Sequence, residues 1–162
     1  IEKAIFESCK IKKNIVEKDE KETNLRKSLN FGHTFGHAYE ATLKYSKKLN
    51  HGEGVLFGIL SAIKLSKKLK ILNHRDYKLI LSHLSALNFT NLSKFFKNKD
   101  VNQIVNFMLA DKKNTSKSIN FITLRSIGNV NIRMHLSRTF IREFIKSELQ
   151  IVNEEGFINS II

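Results

Sequence analysis

Apolar residues recur at three- and four-residue steps along most of this chain, and that repeat constrains its fold more than any other feature. The spacing places apolar side chains on one face of an α-helix. It is clearest from Val55 to Leu69, where lysines fill several polar positions, so we predict a central core helix there. Further helices are predicted over residues 1–18, 25–43, 76–86 and 101–110, with a last one after Ser137.

The repeat changes between Ser118 and Met134, where β-branched residues surround Gly128 and Asn129. This composition predicts a short β-hairpin. A chain of 162 residues with 41% hydrophobic residues can bury one core. We therefore predict one mostly α-helical domain that carries one small hairpin.

Two glycines, Gly32 and Gly36, lie inside the helix predicted over residues 25–43. A glycine in a helix interior costs about 1 kcal/mol relative to alanine. A residue without a Cβ also lets another element come close. We therefore expect a partner to approach this backbone closely.

Three of the six histidines fall within a short stretch of the chain. His33 and His37 are four residues apart, so on a helix they share one face. His51 begins the next predicted helix, and the short connection before it can fold it back against this pair. Neutral imidazole is a good zinc ligand, and a catalytic zinc takes three protein ligands and keeps one position open. Taken alone, two histidines at this spacing more often serve packing than metal binding.

The formal net charge of +13 raises nucleic acid or an anionic membrane as a partner. The lysines are scattered along the chain, which argues against both and favours attraction of an anionic substrate. No apolar run approaches the roughly 20 residues that cross a bilayer. Cys9 has no partner for an internal disulfide and no secretory segment is visible, so we expect a cytoplasmic protein. Because the chain begins at Ile1 within a predicted helix, we expect it to be a piece of a longer protein.

The stretch from Arg26 to Glu40, followed by His51-Gly52-Glu53, resembles the signature of the 3-dehydroquinate synthase family. Lys12 and the segment 19–23 precede it at the family's spacing, and Asp111-Lys112-Lys113 follows. The tail over residues 151–162 has no counterpart in the family, whereas the resemblance covers residues 1–150 as one domain. It implies the C-terminal domain of that fold, with an α/β nucleotide-binding domain upstream that this chain lacks.

The resemblance also implies roles for individual residues. His33 and His51 match two of three metal ligands, the third being a glutamate upstream of Ile1. His37 and Glu22 match positions of proton transfer. Substrate-binding positions are matched by Lys12, Arg26 and Asn30, and by one of the two lysines Lys112 and Lys113. No cofactor-binding residue is expected in this chain.

The implied enzyme is a carbon–oxygen lyase of the shikimate pathway, which leads to the aromatic amino acids. It converts 3-deoxy-D-arabino-heptulosonate 7-phosphate to 3-dehydroquinate and phosphate with NAD and a divalent metal, zinc or cobalt. A homodimer is expected, and a chain without the upstream domain is expected to be inactive. Glu40 and Glu53 could be ligands by residue type, but we expect Glu40 to pair with a neighbouring cation and Glu53 to stabilise its helix start.

Other interpretations of the sequence stay open. A related cyclase with another sugar-phosphate substrate would share the metal histidines, and a polyol dehydrogenase belongs to the same superfamily. A basic nucleic-acid-binding module would leave the three histidines unexplained. A degenerate or scaffolding copy conflicts with the intact motif residues.

Overall fold

The structure, a computed structural model, describes residues 1–85, 92–110 and 118–154. Within these ranges the chain is mostly α-helical with one antiparallel hairpin, as predicted. The elements run in chain order as α1 (Glu2–Lys18), α2 (His33–Thr42), α3 (His51–Lys68), α4 (His74–Ser85), α5 (Val101–Ala110), β1 (Ser118–Ser126), β2 (Asn129–Ser137) and α6 (Arg138–Glu154).

The helix predicted over residues 25–43 is wrong as one continuous element. Leu25–Asn30 forms a 3₁₀ helix, and α2 begins only after Gly32. Gly32 has a φ of +82°, a left-handed conformation that glycine adopts at little cost and that no regular helix contains. Residues before Gly32 therefore do not continue the helical face on which His33 and His37 lie.

The expected close approach to the glycines of α2 is confirmed, and the partner is α3. A Cβ built on Gly36 would lie 2.9 Å from the carbonyl oxygen of Gly54. One built on Gly58 would lie 2.7 Å from the amide nitrogen of Gly36 and would also meet the carbonyl oxygen of Gly32. The two helices thus touch backbone to backbone, at a separation that side chains would prevent.

The core forms where α2, α3, α5 and α6 meet the hairpin. Phe35 of α2 is fully buried and packs its ring against Phe121 of β1, with 4.9 Å between centroids, and against Phe144 of α6. A buried hydrogen bond joins β1 to α3, because the amide of Leu124 donates to Ser66 Oγ at 2.9 Å. The predicted central position of α3 is therefore confirmed.

The predicted hairpin and the predicted last helix are also confirmed. The hairpin turns at Gly128, and Ser137 Oγ accepts from the amide of Phe140 at 3.2 Å, which caps α6. α6 runs on to Glu154, four residues beyond the predicted domain boundary at residue 150.

α1 buries none of its residues and contacts the 3₁₀ helix that follows it. Over the described ranges, no helix combines the length and apolar character needed to cross a membrane.

Candidate functional site

Three histidines meet where α2 and α3 begin. The ring centroids of His33 and His37 are 5.4 Å apart, and that of His51 lies 6.4 Å from the first and 6.3 Å from the second. His33 is the first residue of α2 and His51 the first residue of α3. The prediction that the connection folds His51 back against the pair is thus confirmed, and the glycine contacts between the helices make it possible.

The surroundings of His33 shift its pKa toward the neutral imidazole. Burial is the largest effect and lowers its pKa, and the neighbouring His37 and His51 lower it further, against the opposing effect of the Phe31 carbonyl. That carbonyl oxygen lies 3.4 Å from His33 Nδ1 and faces this edge of the ring. Neutral imidazole is the form that binds a metal, so the environment of His33 suits a ligand.

His51 is supported by a buried carboxylate. Its Nδ1 lies 3.1 and 3.2 Å from the two carboxylate oxygens of Glu40, a residue only 6% exposed. The sequence predicts a neighbouring cation as the partner of Glu40. In the structure that partner is His51, which is also a candidate metal ligand. Glu40 follows His33 and His37 by seven and three residues and so shares their helical face, but this spacing does not reveal its contact with His51 on α3.

Glu53 has the separate role expected for it. Its amide donates to Asn50 Oδ1 at 3.1 Å, and its carboxylate accepts from the amide of Asn50 at 3.0 Å. This reciprocal pair is a capping box, which satisfies amides at the start of α3. Glu53 thus fixes the helix end from which His51 projects.

The donor set suits a zinc-type ion but is incomplete. In the ranges that the structure describes, no group of three His, Cys, Asp or Glu side chains is arranged to hold a metal. His33 and His51 each present Nδ1 to an acceptor, which leaves Nε2 as the coordinating atom, the usual arrangement of metal-binding histidines. The assignment of these two residues as ligands stays a prediction, with a third ligand expected from outside the chain.

A second group of predicted site residues lies just before α2. Asn30 Nδ2 donates to Glu22 Oε1 at 2.7 Å, which joins a predicted substrate-binding residue to a predicted proton-transfer residue. Their loop is organised by Asp19, which accepts from the amides of Asn24 at 2.8 Å and Arg26 at 2.9 Å. These backbone hydrogen bonds hold the pKa of Asp19 far below its usual value.

The remaining predicted substrate residues are placed differently. Arg26 is half-buried and its guanidinium donates to the carbonyl oxygen of Glu20 at 2.7 Å. Lys12 is exposed on α1. Lys112 and Lys113 lie outside the described residues. The roles of all four stay predictions.

A pocket of about 550 Å³ opens beside the histidines, between α2, α3 and the end of α5. His37 and His51 line it together with the buried Glu40, and Phe107 and Ala110 form part of its wall. Its volume is in the range of small-molecule sites. The pocket therefore gives a solute access to two of the three histidines.

Comparison with known proteins points to one enzyme family. The family model described as 3-dehydroquinate synthase C-terminal matches residues 1–114. The chain is 49% identical over 150 residues to the 3-dehydroquinate synthase of Pelagibacter ubique, covering 92% of this chain and 41% of that protein. It is 46% identical over 125 residues to that of Endomicrobium trichonymphae, covering 76% of this chain and 33% of that protein. The chain thus spans about two fifths or less of the length of these relatives.

The fold also resembles solved structures. A 2-deoxy-scyllo-inosose synthase complexed with carbaglucose-6-phosphate, NAD+ and Co2+ matches with a TM-score of 0.60 at 23% identity, over 78% of this chain and 35% of that one. At that identity the likeness concerns the fold alone. The family match and the two bacterial relatives carry the assignment: the chain belongs to the 3-dehydroquinate synthase family and corresponds to its C-terminal domain.

Proposed function

We propose that this chain supplies the metal- and substrate-binding half of an enzyme that converts 3-deoxy-D-arabino-heptulosonate 7-phosphate to 3-dehydroquinate and phosphate. The observation that carries the proposal is the convergence of His33, His37 and His51 in a chain of this family, with His37 and His51 lining a pocket. The proposed place of the enzyme is the shikimate pathway, in the cytoplasm.

The proposed cofactors are NAD and a divalent metal. A zinc or cobalt ion held by His33 and His51 would supply Lewis-acid polarisation of a substrate oxygen. NAD, bound by the longer part of the protein that this chain does not include, would supply reversible oxidation of a substrate hydroxyl. The solved neighbour that contains NAD+ and Co2+ supports this pair of cofactors.

His37 is the residue of this chain best placed to move a proton. It is exposed on the pocket wall, within 6.3 Å of His51 between ring centroids, and the Glu40 carboxylate is hydrogen-bonded to His51 instead. An imidazole that is not committed to a metal can accept and return a proton near neutral pH. We assign it proton transfer to the departing phosphate oxygen.

Glu22 and Asn30 act as one unit in this proposal. The amide of Asn30 orients the Glu22 carboxylate by the 2.7 Å hydrogen bond, so that Glu22 is fixed for a second proton transfer. Arg26, Lys12 and the lysines at 112 and 113 would bind the substrate carboxylate and phosphate. Fixed cations of this kind orient an anionic substrate, and orientation accounts for much of enzymatic rate enhancement.

The proposed active unit is larger than this chain. The bacterial relatives are more than twice its length, and the resemblance assigns nucleotide binding and the third metal ligand to the part upstream. We propose that this chain is inactive without that part and that the complete protein is a homodimer. Nucleic acid and membrane are not proposed as partners.

The test uses the full-length protein, stripped of metal and reconstituted with zinc or cobalt. Phosphate release from 3-deoxy-D-arabino-heptulosonate 7-phosphate in the presence of NAD is expected for the wild-type protein. His37→Ala is expected to lower turnover by about 10²–10⁴-fold, whereas the exposed His83→Ala serves as the matched control and should retain it. Turnover of a different sugar phosphate in place of this substrate would refute the substrate assignment while leaving the cyclase class intact.

A further inference from the structure

We propose that Glu40 is a positioning residue that holds the His51 ring in the one orientation and tautomer that leaves Nε2 free for the metal. The inference rests on the proposed function, because it takes His51 as a metal ligand. It concerns a residue for which the resemblance implied no role.

The hydrogen-bond chemistry fixes the tautomer. An ionised carboxylate can only accept hydrogen bonds, and both oxygens of Glu40 lie within 3.2 Å of His51 Nδ1. The proton of the neutral ring must then sit on Nδ1, so the lone pair is on Nε2. Without this acceptor the ring could carry its proton on either nitrogen and rotate freely, because most of its surface faces solvent.

Burial shows which end of the pair is the anchor. The Glu40 side chain is 8% exposed and that of His51 is 66% exposed. The carboxylate therefore holds the ring at its inner edge, while the outer edge faces the pocket. A carboxylate that accepts from the Nδ1 of a histidine is the arrangement that orients metal-binding histidines.

The space for this carboxylate is made by a glycine. A Cβ built on Gly54 would lie 2.9 Å from Cγ of Glu40. A carboxylate removed from water is costly unless it is paired, and the pairing found here is with His51. The absence of a side chain at position 54 thus leaves room for the Glu40 side chain beside His51.

A purely structural ion pair and a positioning residue predict different results. Loss of a structural pair lowers the stability of the metal-free protein and leaves the affinity of the folded protein for zinc unchanged. Loss of a positioning carboxylate lowers metal affinity by about 10–100-fold. Zinc affinity and the melting temperature of the metal-free protein therefore separate the two roles.

The experiment compares Glu40→Ala, Glu40→Gln and Glu53→Gln in the full-length protein. Zinc affinity is measured by competition with a chromophoric chelator, and the cobalt-substituted protein is examined by its visible absorption spectrum. Glu40→Ala is expected to bind zinc about 10–100-fold more weakly, with an altered cobalt spectrum. Glu40→Gln keeps an acceptor oxygen and should lose less. Glu53→Gln removes a carboxylate two residues from His51 and can retain the capping box, so wild-type affinity is expected.

Zinc affinity in Glu40→Ala equal to that in Glu53→Gln would overturn the proposal. If Glu40→Ala does not fold, Glu40→Gln decides: weaker zinc binding at an unchanged melting temperature supports the role, and unchanged binding overturns it. Failure of the proposed function looks different, because a folded wild-type protein would then bind no zinc at all, and both proposals would fall.

Discussion

The backbone contact between α2 and α3 predicts that Gly58→Ala disturbs both stability and the histidine cluster. The new Cβ would lie 2.7 Å from the amide nitrogen of Gly36, whereas ordinary contacts begin at 3.4 Å. The helices would have to separate by about 0.7 Å at this contact alone, since backbone atoms cannot rotate away as a side chain can. The first turn of α3, which carries His51, would shift with them.

The size of the effect follows from two opposing contributions. Overpacking of this kind costs about 1–3 kcal/mol, and contact with backbone places it toward the upper end. Alanine in a helix interior stabilises the helix by about 1 kcal/mol relative to glycine, which offsets part of this cost. The net loss in free energy of unfolding is about 1–2 kcal/mol, which corresponds to a melting temperature lower by about 2–8 °C for a domain of this size.

The assay is thermal unfolding of the metal-free protein followed by circular dichroism, with zinc affinity measured in parallel. Gly52→Ala is the matched control, because it lies in the same helix and its Cβ would meet nothing closer than Asn50 Oδ1 at 3.6 Å. The control should melt at or above the wild-type temperature, and Gly58→Ala below it with weaker zinc binding. Gly58→Ala with wild-type melting temperature and zinc affinity would refute the reasoning.

Three further predictions follow from the site and the charge. In the full-length protein, His33→Ala should lose bound zinc and activity together while His37→Ala keeps its zinc, as metal analysis of both variants would show; loss of zinc in both would make the pair joint ligands. Asp19→Ala should abolish hydrogen-exchange protection of the Asn24 and Arg26 amides. In the wild type this protection should persist as the pH falls past 3.8, because the pKa of Asp19 is lowered and its carboxylate stays ionised until the solution is more acidic. Loss of protection near pH 3.8 would contradict this. Binding to DNA or RNA should be weak and should vanish as salt is raised, which a filter-binding titration can measure; tight binding at physiological salt would restore a nucleic-acid function.

The sequence predicted the elements well where one repeat extends over many residues. α3, α5 and the hairpin lie where apolar spacing and β-branched composition placed them, because burial of one face decides both. The prediction failed at Gly32, where a left-handed residue ends the 3₁₀ helix and begins α2. Apolar spacing does not reveal backbone dihedral angles, so it joined two elements into one.

The candidate site, like the fold, could be predicted from the sequence only in part. The meeting of His51 with His33 could be predicted because the connection between their helices is short. The support of His51 by Glu40 could not, since it depends on how α3 crosses α2 and on the space left at Gly54. The link between Glu22 and Asn30 depends on a loop shaped by hydrogen bonds to Asp19, and no periodicity encodes such a loop.

The contact between α2 and α3 also bears on how this protein can change over evolution. Side-chain contacts drift readily, because a lost methyl group at one position can be compensated at another. A joint made of Gly36 and Gly58 has no rotamers to adjust and no volume to exchange. The aromatic core around Phe35 can therefore accept compensating substitutions, while the spacing of the histidines depends on a backbone contact that side-chain changes cannot repack.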